Sequence, residues 1–433
     1  MAVIRTGMTP VGEMKKLHGV GQPPFTGVSF HMFQYLKAFD CPFSRLHDVQ
    51  GVYGGGRWVD IPNLFRNFDA DPEDPASYDF AFTDLLMQAL VKAGIEPFFR
   101  LGVTIENQCR IKSYRIDPPK DPLQWAKICE GVIRHYNEGW ANGFHMNIRY
   151  WEIWNEPDNS HIPEDNMMWT GTMEDYFELY GTASKYLKNR FPDIRIGGYA
   201  SCGFYGWNAD RNDPQQARNV YYVDYANRFL EYVTKHNCPL DFFSWHSYGS
   251  IEDTLDYVKY ATKMLEEHGF GGLEQSLNEW NCQPNARGTL KHAALTAGMM
   301  LALQNTAMDT AMFYDARYGT SIYGGMFNPL TAEPFPAYYG FVAFNELYKR
   351  HTQTDLTFDI PGVYGLAAGT AEDGCIVLSN TAAEAVPLTF DLPEGTKITG
   401  CRVVKEGMIW QETDAVSELA GHAILCLWIG KEQ

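Results

Sequence analysis

Residues 150–157 read Tyr150-Trp151-Glu152-Ile153-Trp154-Asn155-Glu156-Pro157. The run is rich in aromatic side chains and ends at a proline, which predicts a short strand over Ile148–Trp154. An amphipathic helical run, Leu123–Tyr136, precedes it, and another, Met173–Asn189, follows. A strand set between two helices is one βα unit of a parallel sheet. Glu152, Trp154 and Glu156 share the two-residue alternation of strand side chains. The strand therefore points Glu152 inward at depth, as a structural acid, and delivers Glu156 at its C-terminal end.

The same alternation extends in both directions. Further strands are predicted at Gly27–Phe30, Phe43–His47, Glu96–Leu101, Ile194–Tyr199, Asp241–Tyr248, Glu274–Glu279 and Thr310–Tyr314. Helices are predicted at Phe80–Ala93, Tyr221–His236, Ile251–His268, Leu290–Asn305 and Pro336–Lys349. Eight strands with interleaved helices fit a (β/α)8 TIM barrel, an α/β fold, spanning residues 25–351. A doubly wound open sheet would carry a Gly-rich turn after its first strand, and none follows Phe30. Past residue 352 helical periodicity stops. Short β runs separated by turn signals such as Asp373-Gly374 and Glu394-Gly395 predict an appended antiparallel β-sandwich over 352–433, to which residues 1–24 could add a strand.

Composition narrows the partners. A formal charge of −18 repels nucleic-acid phosphates and anionic lipid, so a neutral substrate is favoured and nucleic-acid or membrane-surface binding is not. No window approaches the ~20 apolar residues of a membrane span. The nine cysteines are scattered without a C-x-x-C pair, as in a chain kept reduced in the cytoplasm. A homo-oligomer stays open. No histidine pair shows His-x-His spacing and no Gly-rich phosphate loop follows the last strands, so neither a metal nor another cofactor is expected.

Two strand ends carry the chemistry. The seventh strand runs Gln275-Ser276-Leu277-Asn278-Glu279-Trp280-Asn281 and, like the fourth, delivers a glutamate. Barrel enzymes place catalytic groups at strand C-terminal ends, and strands four and seven face each other across the mouth. Cleaving a glycosidic bond needs two carboxyls, one to protonate the leaving oxygen and one to attack or to activate water. A single glutamate at a strand end is more often a solvated or salt-bridged residue. Two of them, each beside Asn and Trp, weaken that bland explanation sharply.

Trp154-Asn155-Glu156-Pro157 and Asn278-Glu279-Trp280-Asn281 resemble the acid/base and nucleophile signatures of glycoside hydrolase family 39, in clan A, which contains β-xylosidases and α-L-iduronidases. Arg45-Leu46-His47, the segment Phe242–Tyr248 and the second βα unit around Tyr78-Asp79-Phe80 extend the resemblance over most of the chain. It implies a retaining double displacement with Glu156 as acid/base and Glu279 as nucleophile. Asn155 would donate to the sugar 2-hydroxyl, and Arg45 and Tyr248 would hold Glu279 charged and aimed. His47 and His246 would line the sugar subsite. Trp154, Trp245 and Trp280 are candidate aromatic walls or plain core. Asn278 stands where the family pattern has Thr. Asp315 and Arg317 replace a Trp platform at the end of strand eight, as substrate contacts or as an ion pair.

The resemblance favours an exo-acting β-xylosidase on oligosaccharides or glycosides. Arabinoside, galactoside and uronide specificity, and transglycosylation, stay open. Arg57, Arg110, Lys112, Arg115 and Arg317 could serve an anionic sugar, and the loops Gln50–Arg57 and Gly102–Ile116 would shape the pocket. A non-catalytic carbohydrate-binding protein on a hydrolase scaffold is the alternative from another class, disfavoured because binding requires neither glutamate.

Overall fold

The structure, a computed structural model, describes residues 2–24, 32–49, 58–104, 116–318, 323–414 and 416–431. Two short strands, Ala2–Arg5 (β1) and Pro10–Glu13 (β2), precede the barrel. Its strands are Lys16–Gly21 (β3), Phe43–Arg45 (β4), Glu96–Leu101 (β5), Tyr150–Ile153 (β6), Arg195–Ser201 (β7), Phe242–Ser247 (β8), Glu274–Trp280 (β9) and Thr310–Phe313 (β10). They pair in parallel in chain order, and β10 closes on β3.

The first barrel strand is therefore Lys16–Gly21. The expected strand Gly27–Phe30 lies outside the described residues, and the barrel takes in a segment that the sequence had left to the sandwich. Glycine hides this strand from a β-propensity reading. At Gly19 a Cβ would come 3.0 Å from the Ala311 carbonyl oxygen and from Met312 Cγ, so the closing β3–β10 contact admits a side chain there only by displacing its neighbours.

The helices packed outside the barrel are, in chain order, Phe33–Ala38 (α1), Ile61–Leu64 (α2), Ala81–Lys92 (α3), Pro122–Asn137 (α4), Met173–Arg190 (α5), Ala217–His236 (α6), Ile251–Glu267 (α7), Leu290–Leu303 (α8) and Tyr338–Tyr348 (α9). Capping boxes start two of them. Thr172 and Asp175 satisfy each other's backbone N–H at α5, and Ser250 and Asp253 do the same at α7. No helix among the described residues is long and apolar enough to cross a membrane.

The C-terminal strands are Thr352–Thr354 (β11), Val363–Gly369 (β12), Gly374–Asn380 (β13), Val386–Asp391 (β14), Thr396–Lys405 (β15), Met408–Glu412 (β16), Glu418–Leu419 (β17) and Ile424–Lys431 (β18). They form a seven-stranded sheet, β16-β15-β18-β13-β12-β11-β2, and a three-stranded sheet, β1-β14-β17. Alternation assigns the two faces of the large sheet. Ile376 and Leu378 of β13 join Ile4, Leu388 and Leu419 in a core between the sheets, whereas Cys375 and Val377 belong to the main core, toward α8 and α9.

Inside the barrel, Phe43, Phe98, Tyr150, Phe242 and Met312 form a closed apolar floor. The rings of Phe98 and Tyr150 stack at 5.0 Å, and Phe242 meets Phe98 edge-on at 5.1 Å. Two residues further along their strands, the inward positions become Arg45, Arg100, Glu152 and Ser244. All four are fully buried. The floor thus supports a polar layer directly above it. Phe98→Ala should cost about 3–5 kcal/mol of unfolding free energy in urea, the usual cost of emptying a buried aromatic site. A loss below about 1 kcal/mol would show that the floor does not carry the barrel.

Candidate active site

The arrangement is built around Arg45. Its guanidinium donates from Nε to Glu152 Oε2 at 2.7 Å, from Nη1 to Glu279 Oε1 at 2.6 Å and from Nη2 to Asn155 Oδ1 at 2.7 Å. Arg45 thus contacts the expected Glu279 and also neutralises Glu152 beneath it. The other oxygen of Glu152 accepts from Ser244 Oγ at 2.6 Å and from Asn278 Nδ2. Asn278, the departure from the family's Thr, therefore braces the acid beneath the site.

Glu279 receives a second donor, the Tyr248 hydroxyl, at Oε2 and 2.9 Å. A register shift between Trp245 and His246 sets His246 directly beside Glu279 on the neighbouring strand. Glu156 sits opposite. Its Oε1 lies 2.7 Å from His246 Nδ1, and its Oε2 accepts from Asn159 Nδ2 at 2.8 Å. One oxygen of each carboxyl and a ring nitrogen of His246 fall within 4.8 Å of one another. Such a trio could be read as a metal site. Here, however, Arg45 and Tyr248 already engage Glu279, and His246 Nδ1 engages Glu156.

Burial pushes both carboxyls above their usual range. At Glu279 the Arg45 guanidinium and the Tyr248 hydroxyl oppose the rise. Among the described residues no cation contacts Glu156 directly, and the largest opposing effect is the hydrogen bond from Asn159. Two close carboxyls favour sharing one proton, and these surroundings leave the charge on Glu279 and the proton on Glu156. Burial lowers His246 to about 4 and takes His47 well below its ordinary value, so both rings are neutral near pH 7.

The remaining predicted residues divide. His47 lies 3.6 Å from Glu279 Oε1, with Nε2 directed to Asp48 at 3.2 Å. Asn155 Nδ2 is buried without a hydrogen-bond partner among the described residues. Trp154 leaves the inward alternation, because φ of +73° there and +43° at Glu156 turn the strand end. Its indole packs beside Trp125 and Trp169 and donates to the Met168 carbonyl at 3.0 Å. Trp245 and Trp280 are fully buried, against Phe204 and Phe313 respectively. All three tryptophans are core. The expectation that Trp280 contacts substrate is corrected by its packing: the register shift that lets Asn278 and Glu279 both face inward leaves Trp280 buried edge-on against Phe313. Asp315 is also fully buried, accepts from the Arg317 backbone N–H at 3.1 Å and pairs with its guanidinium at 3.7 Å. Arg57, Arg110, Lys112 and Arg115, with the loop 50–57 and most of the loop 102–116, lie outside the described residues.

Several residues at the site were not singled out from the sequence. Tyr314 donates to Asp48 at 3.1 Å, and Tyr323 packs against Tyr248 and Tyr314 with ring centroids 5.0 and 5.6 Å away. Asn281 fastens that aromatic cluster by donating to the carbonyls of Tyr314 and Tyr323. Asp158 accepts from Ser201 Oγ at 3.0 Å, and burial together with Glu156 pushes its carboxyl up to about 7. Asn281 was legible as part of the seventh-strand motif. Tyr323 follows the last strand at no fixed spacing, so no local pattern marks it.

The model of the family described as Glycosyl hydrolases family 39 matches residues 45–272. A beta-xylosidase of Geobacillus stearothermophilus is 22% identical over 335 residues, covering 68% of this chain and 62% of that protein, under two thirds of its length. A beta-xylosidase of Caldicellulosiruptor saccharolyticus is 23% identical over 365 residues, covering 76% of this chain and 68% of the relative. Among solved structures, a glucosidase from Croceicoccus marinus superposes with a TM-score of 0.80 at 20% identity, covering 100% of this chain and 99% of that one. A monomeric beta-xylosidase from Caulobacter crescentus gives 0.67 at 16% identity, covering 100% of both chains.

Replacing Arg45 by Met should cost about 3–5 kcal/mol in urea unfolding, because it strands two buried carboxylates. Arg66→Ala, which removes an exposed pair with Asp79, should cost under about 1 kcal/mol. Equal costs would contradict the hub role of Arg45.

Proposed function

The chain belongs to glycosyl hydrolases family 39, and from that premise we propose that it is an exo-acting, retaining β-xylosidase-like glycosidase. The observation that carries the reading is the carboxyl pair. Oxygens of Glu156 and Glu279 lie within 4.8 Å, close to the ~5–5.5 Å of retaining sites and short of the ~6.5–9.5 Å that leaves room for an inverting water.

In the first step Glu279 attacks the anomeric carbon as the bond to the leaving oxygen breaks, and Glu156 gives that oxygen its proton. The product is a glycosyl ester on Glu279. In the second step water attacks the same carbon, passes a proton to Glu156 and releases Glu279 as a carboxylate. Arg45 and Tyr248 stabilise the charge on Glu279 before attack and on its departure. The unpartnered Asn155 Nδ2 is available to the 2-hydroxyl. A pentose is favoured by the beta-xylosidase names of the relatives.

The test is a panel of nitrophenyl β-xyloside, β-glucoside, α-arabinoside, β-galactoside and uronides, with proton NMR of the first-formed anomer. Retention of configuration with β-xyloside fastest is expected. Glu279→Gln should lower kcat by at least about 10^4-fold. An inverted first product, or Glu279→Gln at full rate, sinks the mechanism. A different preferred sugar corrects the substrate alone.

A further inference from the structure

We propose that Asn159 is a positioning residue for the acid/base carboxyl: its side-chain amide holds Glu156 Oε2 while His246 holds Oε1, fixing the aim of the group and easing its return to carboxylate. The inference rests on the double-displacement reading of Glu156.

The chain prepares Asn159 for this. Glu156 lies at φ +43°, and the Asn159 backbone N–H closes the following turn on the Glu156 carbonyl at 3.0 Å. From behind, α6 grips the Asn159 carbonyl: Arg218 donates to it from Nε at 3.0 Å and Nη2 at 2.7 Å, and the Tyr222 hydroxyl does so at 3.3 Å. With its backbone held on both sides, the buried side chain points at Glu156 Oε2, 2.8 Å away, and at Cys202 Sγ, 3.8 Å away. Three residues of sequence therefore link the carboxyl to its clamp.

A carboxyl that gives a proton in one step and takes one in the next must manage both states. Burial alone favours the protonated state. An amide N–H can only donate, so its bond strengthens when Glu156 is charged. Among the described residues the Cys202 thiol adds a weaker donor, and the other groups facing Glu156 do not supply this. Arg45 is committed to Glu152, Glu279 and Asn155, and Arg218 to the Asn159 carbonyl. Asp158 and Glu279 favour the protonated form, and His246, at the opposite oxygen, is neutral. Tyr205, Tyr222, Tyr248, Tyr323 and the Cys202 thiol are held neutral by burial. Of the direct donors that favour the carboxylate, Asn159 is the strongest, ahead of the Cys202 thiol.

The test uses the full chain with Asn159→Leu and the isosteric Asn159→Asp, on phenyl and 2,4-dinitrophenyl glycosides of the sugar selected by the panel. For Asn159→Leu, kcat/KM on the phenyl glycoside should fall about tenfold, while kcat/KM on the dinitrophenyl glycoside, which needs little protonation, stays within about twofold. The alkaline limb of kcat/KM should move up by about one pH unit, the size of one hydrogen bond to a charged group. For the dinitrophenyl glycoside kcat should fall, and azide, which needs no base, should restore it. Asn159→Asp, should the leucine variant not fold, must move the limb in the same direction. Equal losses on both substrates, an unmoved limb or unchanged kinetics overturns the role of Asn159. Glu156→Ala runs alongside: full turnover of the phenyl glycoside in that variant would sink the acid/base reading itself.

Discussion

A guanidinium buried between two carboxylates is the constraint on which the rest of the site depends. Arg45 has no exposure to solvent, and neither does Glu152 beneath it. A charge so placed must be paired and hydrogen-bonded, or it would destabilise the barrel. Glu152 pairs it from below, with Ser244 and Asn278 taking the second oxygen, and Glu279 pairs it from above. Because Arg45 is shared, the upper carboxylate remains charged while part of the compensation is built into the floor. The same guanidinium fixes the oxygen of Asn155 and so turns its N–H2 group outward from the hub.

This polar layer is possible because an aromatic floor closes the barrel below it. Phe43, Phe98, Tyr150 and Phe242 occupy inward positions two residues before Arg45, Arg100, Glu152 and Ser244. Alternation carries each strand from apolar packing to charge within one pleat. The strand ends then depart from regular geometry. Positive φ at Asp48, Trp154, Glu156 and Ala200, and the register shift beside His246, re-aim side chains at the mouth. Such departures cost energy and persist where the surroundings hold them. Asn159 and α6 are one such restraint.

Much of this was legible in the sequence, for identifiable reasons. Strands four and seven announce themselves because β-prone residues end at a glutamate flanked by Asn, and their parity correctly sent Glu152 inward. The first strand was misplaced because Lys16–Gly21 carries two glycines, one of them, Gly19, where the closure with β10 is tight. Parity failed at Trp154, where left-handed backbone breaks the period that sequence reasoning assumes. It also failed at the end of β9, where a register shift lets Asn278 and Glu279 both face inward and leaves Trp280 in the core. Asp315 and Arg317 pair with each other at 3.7 Å after the last strand, where the Arg317 backbone N–H also donates to Asp315. Tyr314 and Tyr323 reach the site through tertiary packing, which no local spacing encodes.

The central claim is that Glu279, held charged by Arg45 and Tyr248, becomes covalently glycosylated. The most direct measurement is mass spectrometry of the protein after incubation with an activated 2-deoxy-2-fluoro glycoside, followed by peptide mapping. The account predicts one added sugar per chain, located on Glu279 and lost slowly as activity returns. A sugar on another residue, or no adduct while the reagent is hydrolysed, would contradict it.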